Sequence, residues 1–79
     1  MFSIKTLEEI VNIFETKYNV KLTGYGIGKL SEFCLMYCPN MVYEAVEICC
    51  DKYEEPEFSF SKIGGVLYNK YKDIKKCFE

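Results

Sequence analysis

Apolar residues recur along most of the chain at the spacing of amphipathic helices. In the first segment they follow the i, i+3, i+4, i+7 pattern that places side chains on one helix face, at Leu7, Ile10, Val11, Phe14 and Tyr18. Thr6 and Glu9 form a capping box, which marks the start of a helix. Three further segments repeat the spacing. The pattern therefore predicts four helices, over residues 6–18, 24–38, 41–54 and 60–76.

Glycines, prolines and serines indicate the boundaries of these helices. The Gly-x-Gly-x-Gly stretch at residues 24–28 weakens a helix by about 1 kcal/mol per glycine relative to alanine, so we expect a frayed start or a flexible connector there. Pro39-Asn40 is expected to stop the second helix and cap the third. The acidic segment 54–57 is expected to break the third helix, and Ser59 or Ser61 to cap the fourth.

The expected connectors are short, and no useful length of chain alternates at period two, which argues against a sheet. Helical bundles use connectors of this length. We therefore predict a single all-α domain, a small bundle of four helices. Its core is predicted to form from the apolar positions of each helix, which in the last three are Ile27, Leu30, Cys34, Tyr37, Cys38, Val42, Ala45, Val46, Cys49, Tyr53, Ile63, Val66, Leu67, Tyr71 and Ile74.

The composition excludes several classes of enzyme. The 79 residues suffice for one small domain, and they include no His, no Arg and no Trp. Without His there is neither a Ser-His-Asp triad nor a Cys-His dyad, and without Arg there is no bidentate fork for phosphate, carboxylate or guanine. In an enzyme, the carboxylates and thiols would have to work without histidine. We therefore predict a binding module with no catalytic residues and no cofactor.

Five cysteines raise the question of a metal site. Cys34 and Cys38 lie one helical turn apart, as two ligands would, but Cys49 and Cys50 project about 100° apart and no CxxC knuckle is present. We therefore favour small buried hydrophobic residues over a four-thiolate zinc site. An odd number of cysteines, with neither an export signal nor an apolar membrane span, predicts reduced thiols in the cytoplasm.

Charge is segregated along the chain. Residues 1–59 hold five lysines and ten acids, whereas residues 60–79 hold five lysines and two acids. The acids concentrate in the third predicted helix and just after it, where a solvated surface is the simplest explanation. As a functional surface, they would meet a basic partner or imitate a nucleic-acid backbone. The residues concerned are Glu44, Glu47, Asp51, Glu54, Glu55 and Glu57.

The last predicted helix carries most of the positive charge. Its lysines lie largely away from the apolar face, with one exposed tyrosine near them. Such an arrangement suits the backbone and bases of a single strand, although without arginine the contact is expected to be weak, phosphate-directed and strongly salt-dependent. The alternative is an ordinary solvated face. The candidate nucleic-acid-binding residues are Lys62, Tyr68, Lys70, Lys72, Lys75 and Lys76.

Four stretches of the sequence resemble one known family. They are IFETKYNVKLT, KLSEF, MVYEAVEICC and FSFSKIGGVLYNKY. Together they span roughly residues 10–74 and resemble the C-terminal domain of the DnaD/DnaB-type primosomal proteins, which are replication initiators and helicase-loader partners in Gram-positive bacteria and their phages. The resemblance implies that the last helix contributes to DNA contact and to assembly. This chain departs from the family at Lys62, where Tyr is preferred, and at Lys70, where Trp is preferred.

Two functions are predicted from these features. The first is a non-enzymatic, DnaD-like interaction module in the DNA replication or DNA transactions of a phage or mobile element, which binds a protein partner and weakly binds single-stranded DNA. The alternative is a phage-encoded inhibitor of a host nucleic-acid enzyme, such as an anti-CRISPR protein, whose acidic surface occupies a basic channel. A third hypothesis is a homo-oligomeric scaffold, because the aromatic surplus leaves apolar surface to spare.

Overall fold

The structure is a computed structural model that describes the backbone of residues 5–76 and the side chains of residues 5–70. Over these residues it consists of four helices and contains no strand, so the prediction of an all-α fold with four helices is confirmed. Helix α3 lies at the centre, since it contacts all three of the others. The helices are α1 (Leu7–Tyr18), α2 (Gly24–Met36), α3 (Pro39–Lys52) and α4 (Pro56–Lys76).

Both prolines begin helices. Pro39 lies in the first turn of α3, and Pro56 is the first residue of α4. Proline fits this position because its missing N–H is not needed in the first turn and its φ angle is already helical. The predicted starts at residues 41 and 60 are therefore wrong. The predicted ends of α2 at residue 38 and of α3 at residue 54 are also wrong, since the structure ends these helices two residues earlier in each case.

Neither serine caps α4. Ser59 is fully buried inside the helix, where its backbone N–H donates to the carbonyl of Glu55 at 2.9 Å. Ser61 lies further along the helix and its hydroxyl donates to the carbonyl of Phe58 at 2.7 Å. Residues 57–61 alternate between polar and apolar side chains, which is not the spacing of a helix. The spacing therefore gave no sign that α4 begins at Pro56.

Helix α2 begins within the glycine-rich stretch, so the expected flexible connector is wrong. The Thr23 side chain accepts a hydrogen bond from the N–H of Gly26 at 3.4 Å and caps the helix. Gly26 is buried, and a Cβ there would lie 3.1 Å from Leu22 and 3.7 Å from Phe60. A cap and a close helix contact thus outweigh the weak helix propensity of the glycines.

The capping box predicted for α1 is confirmed. The Thr6 hydroxyl oxygen accepts from the N–H of Glu9 at 3.2 Å, and the Glu9 carboxylate accepts from the N–H of Thr6 at 3.0 Å. The helix ends at Asn19, which adopts the left-handed conformation that asparagine tolerates. The Glu15 carboxylate then accepts the N–H of Leu22 at 2.7 Å, which anchors the connector to α2.

The buried core draws on all four helices. Four predicted core positions of α3 are confirmed, Val42, Ala45, Val46 and Cys49, whereas Tyr53 follows the helix and is half-buried. The prediction for Ile27 of α2 is wrong, because its side chain is exposed. Tyr71 and Ile74 fall among the residues whose side chains are not described. Cys50, which the prediction omitted, is buried. The core residues are Ile10, Phe14, Leu30, Val42, Ala45, Val46, Cys49, Cys50, Ile63 and Leu67.

A tyrosine ties α1 to the end of α3. The Tyr18 hydroxyl donates to the carbonyl of Tyr53 at 2.7 Å and lies 3.3 Å from the carbonyl of Cys49. These carbonyls belong to the last turn of α3 and its cap, where intrahelical partners run out. The contact therefore orients α1 and α3 along a common surface. Within the described part of the chain, no helix has the length and apolar character required to cross a membrane.

Candidate functional site

An open groove lies between α1 and α3, and we call it the acidic groove. Its volume is about 420 Å³. Both walls of the groove are helices. Helix α1 is capped at its start, and the Tyr18 hydroxyl bonds it to the end of α3, so the two walls are held together. The lining residues are Glu9, Asn12, Ile13, Thr16 and Lys17 of α1 and Tyr43, Glu47, Cys50 and Asp51 of α3.

Negative charge dominates this groove. Three carboxylates line it, those of Glu9, Glu47 and Asp51, against the single ammonium of Lys17. Lys17 Nζ lies 3.3 Å from Asp51 Oδ1, and both side chains are at least half exposed. Exposed pairs of this kind contribute roughly 0–1 kcal/mol, so Asp51 remains available to another cation. The groove is thus suited to binding a basic surface rather than to acid–base chemistry.

The structure divides the six predicted acids between separate places. Glu47 and Asp51 face α1 and line the acidic groove, whereas Glu44 faces α4, where its Oε1 lies 3.8 Å from Lys70 Nζ. The other three lie beyond α3, in the connector and in the first turn of α4, where the helix dipole favours negative charge. These are Glu54, Glu55 and Glu57, and all three are exposed.

The predicted nucleic-acid-binding residues lie along α4, but the described ones project in different directions. Lys70 reaches towards Glu44 on α3. Tyr68 is 60% exposed and projects from nearly the opposite side of the helix, since two residues correspond to about 200° of rotation. Lys62 lies over the ring of Phe58, with Nζ 4.8 Å from its centroid. The side chains of Lys72, Lys75 and Lys76 lie outside the described residues.

Two lysines flank a pair of aromatic rings where α3 meets α4, a feature that the sequence analysis missed. Lys52 Nζ lies 5.6 Å from the centroid of Tyr53, and the Tyr53 ring meets Phe58 edge to face at 5.1 Å. Lys62 covers the other ring of this pair. The i, i+4 spacing of Phe58 and Lys62 signalled their contact. Tyr53 reaches Phe58 only because the chain turns between α3 and α4. The helix boundaries expected from the sequence misplace this turn.

The structure describes four of the five cysteines, and all four are free thiols that are at least partly buried. Cys49 and Cys50 are buried, and Cys34 and Cys38 are half-buried. Burial raises the pKa of the Cys49 thiol from 9.0 to about 11, with a smaller contribution from Cys50 beside it. A thiol of this kind is a poor nucleophile at neutral pH. Among the described residues, no three His, Cys, Asp or Glu side chains gather as metal ligands would.

We expect the free energy of unfolding to fall as the pH rises from 9 towards 11, because of Cys49. In this interval the unfolded thiol loses its proton while the folded thiol keeps it, so deprotonation favours the unfolded chain. Urea denaturation at several pH values, with a reductant present, measures this dependence. The Cys49→Ala variant should lose stability less steeply over the same interval. Equal slopes for the two proteins would contradict the assignment to Cys49.

The acidic groove joins residues that are far apart in the sequence, since Lys17 and Asp51 are 34 positions apart. The resemblance to the DnaD-type domain stays a prediction from the sequence. No protein-family model, no curated protein and no solved structure matches this chain.

Proposed function

We propose that this chain is a non-enzymatic interaction module that binds the basic surface of a protein acting on nucleic acid. The observation that carries the proposal is the acidic groove, in which three carboxylates face one lysine on two rigidly connected helices. Charge complementarity between such a surface and a basic one accelerates association and selects the partner. Proteins that act on nucleic acid present basic surfaces, since they must neutralise phosphates.

The surroundings of the groove favour protein binding over direct binding of DNA. Lys70, one of the lysines expected to contact phosphates, lies beside Glu44 instead. A nucleic-acid backbone approaching α3 would meet carboxylates and be repelled. A basic protein surface would be attracted there, and its lysines or arginines would compete with Lys17 for Asp51.

Two classes of partner fit this surface. The resemblance to the DnaD-type domain favours a replication protein, such as an initiator or a helicase, within the DNA transactions of a phage or mobile element. An inhibitor of a host nucleic-acid enzyme, of the anti-CRISPR kind, would use the same carboxylates to occupy a basic channel. The carboxylates of Glu47 and Asp51 lie one helical turn apart, about 6 Å along the axis, which suits a row of cations.

Reversing one charge in the groove is expected to weaken capture of the partner at least about tenfold. Glu47 is exposed and lines the groove, so Glu47→Lys changes the charge without disturbing the core. The matched control is Glu54→Lys, which makes the same change in the connector outside the groove. Tagged wild-type protein and both variants are incubated with a lysate of the native host, and bound proteins are identified by mass spectrometry.

We expect wild type and Glu54→Lys to recover the same nucleic-acid-processing protein, and Glu47→Lys to recover at least about tenfold less of it. Raising the salt concentration should release it, because screening weakens exposed charge pairs. Recovery of a replication protein supports the first class of partner, and recovery of a defence nuclease supports the second. Equal recovery with Glu47→Lys, or equal loss with Glu54→Lys, would refute the proposed groove.

Weak binding of single-stranded DNA along α4 is the second candidate function. It is favoured by the exposed ring of Tyr68 and by the ring pair of Tyr53 and Phe58 with a lysine on either side, because stacking platforms with cations suit unpaired bases. Fluorescence anisotropy with a labelled oligonucleotide, at low and moderate salt, measures it. Triple replacement of Lys72, Lys75 and Lys76 by glutamate should abolish binding at low salt. Unchanged affinity after this replacement would eliminate the candidate.

A further inference from the structure

Helix α2 exposes large apolar side chains on the side away from the core, which we call the α2 outer face. Leu35 is 87% exposed, Tyr25 75% and Met36 50%. Leu35 projects opposite to the buried Gly26, since nine residues correspond to about 900° of rotation. Tyr25 and Met36 project about 120–140° away from the buried Leu30. Such a surface on a small domain is typical of an interaction site. The face comprises Gly24, Tyr25, Gly28, Glu32, Leu35 and Met36.

The α2 outer face has glycines beside Tyr25 at its N-terminal end and two long apolar side chains at its C-terminal end. A Cβ on Gly24 or on Gly28 would meet nothing within 4 Å, so the flank of Tyr25 that carries the glycines is open. Leu35 and Met36 extend from the C-terminal half. A second α2 lying antiparallel, with a two-fold axis between residues 30 and 31, would bring Leu35 of each copy between Gly24 and Gly28 of the other, and Met36 over Tyr25. The face is therefore complementary in shape to itself.

Charge also singles out α2 as the face that a second copy can approach. Helices α1 and α3 each hold three acids and one lysine, so like surfaces of two copies would repel. Helix α2 holds only Lys29 and Glu32, which lie 3.7 Å apart and leave it neutral. In the antiparallel arrangement Lys29 of one copy lies opposite Glu32 of the other, so the flanking charges attract.

We propose that the α2 outer face is a homodimer interface, formed by antiparallel packing of α2 against α2 of a second copy. The helix has 13 residues and is therefore about 20 Å long. A single pair of helices of this length makes a small interface, so we expect the dimer to be weak. The acidic groove lies between α1 and α3 and stays open in the dimer, which presents two grooves to a partner.

Sedimentation velocity over a range from low to high micromolar concentration tests the interface. Two variants are designed to block it without affecting the fold. Leu35→Lys replaces an exposed leucine, and Gly28→Lys adds a side chain where the monomer has open space. The matched control is Gly65→Lys on α4, where a Cβ also meets nothing within 4 Å. Circular dichroism verifies that every variant is helical.

We expect wild type and Gly65→Lys to pass from monomer to dimer across the range, and both α2 variants to dimerise at least about tenfold more weakly. A wild-type protein that stays monomeric throughout would overturn the proposal. So would a Gly65→Lys variant that weakens the dimer as much as Gly28→Lys does. The Glu47→Lys variant should dimerise like wild type, which separates failure of this interface from failure of the proposed groove.

Discussion

Replacing Phe14 with alanine is expected to lower the free energy of unfolding by about 3–5 kcal/mol. Phe14 is 2% exposed and holds α1 against the rest of the bundle. Its ring lies 4.9 Å from the ring of Tyr18 and meets Phe60 of α4 edge to face at 5.7 Å. A domain of 79 residues has a total stability of roughly 4–12 kcal/mol. The substitution therefore removes a quarter of the stability or more.

The matched control for this substitution is Phe58→Ala. Phe58 is 50% exposed and its ring contacts Tyr53 and Lys62 at the surface, so its loss should cost about 1 kcal/mol or less. Urea denaturation followed by circular dichroism compares the two variants with wild type. We expect a large drop in the denaturation midpoint for Phe14→Ala alone. Similar midpoints for both variants would show that Phe14 does not occupy the core.

Replacing Leu30 with alanine is expected to cost about 2–5 kcal/mol. Leu30 is fully buried and is the main contact of α2 with the core, together with the closely packed Gly26. The loss combines the removal of buried apolar surface with the cavity left behind. The cost should lie towards the upper end of this range, because fixed helix backbone on either side limits relaxation.

The matched control lies one and a half turns away on the same helix. Leu35→Ala makes the identical change at a side chain that is 87% exposed, so the free energy of unfolding of the monomer should stay within about 0.5 kcal/mol of wild type. Dimerisation should respond the other way round. Leu35→Ala should weaken it, because it removes part of the proposed dimer interface. Denaturation at low protein concentration and sedimentation at high concentration measure the two effects separately. Equal destabilisation by both variants would contradict the orientation of α2.

The accuracy of the sequence-based helix boundaries depended on how local their signals were. The start of α1 was predicted correctly, because Thr6 and Glu9 form the capping box within one turn of each other. Proline disrupts a helix interior, so Pro39 and Pro56 predict the end of the preceding helix, but proline also favours a first turn, and the structure has both prolines there. From the sequence alone, a proline is compatible with the end of one helix or with the first turn of the next. Packing against neighbouring helices decides between them.

The acidic site was predictable only in part. Glu44, Glu47 and Asp51 follow the i, i+3, i+7 spacing, which predicts that they lie on one side of α3. The structure leaves all three exposed. The opposite wall of the groove, with Glu9 and Lys17, comes from α1 and lies more than 30 positions earlier in the chain. No periodicity within α3 indicates which helix packs beside it. The division of the acids between α1 and α4 was therefore beyond the sequence.

Apolar spacing within single segments predicts the helical class, the number of helices and most of the core. The sequence also shows that these 79 residues contain neither histidine nor arginine, and so neither a Ser-His-Asp triad nor a guanidinium fork. Three relations emerge only when the helices pack: Lys70 meets Glu44, Asp51 meets Lys17, and Leu35 lies on the outside of α2. Each of them joins residues from different helices or depends on which side of a helix faces the core. Only the packed bundle specifies both.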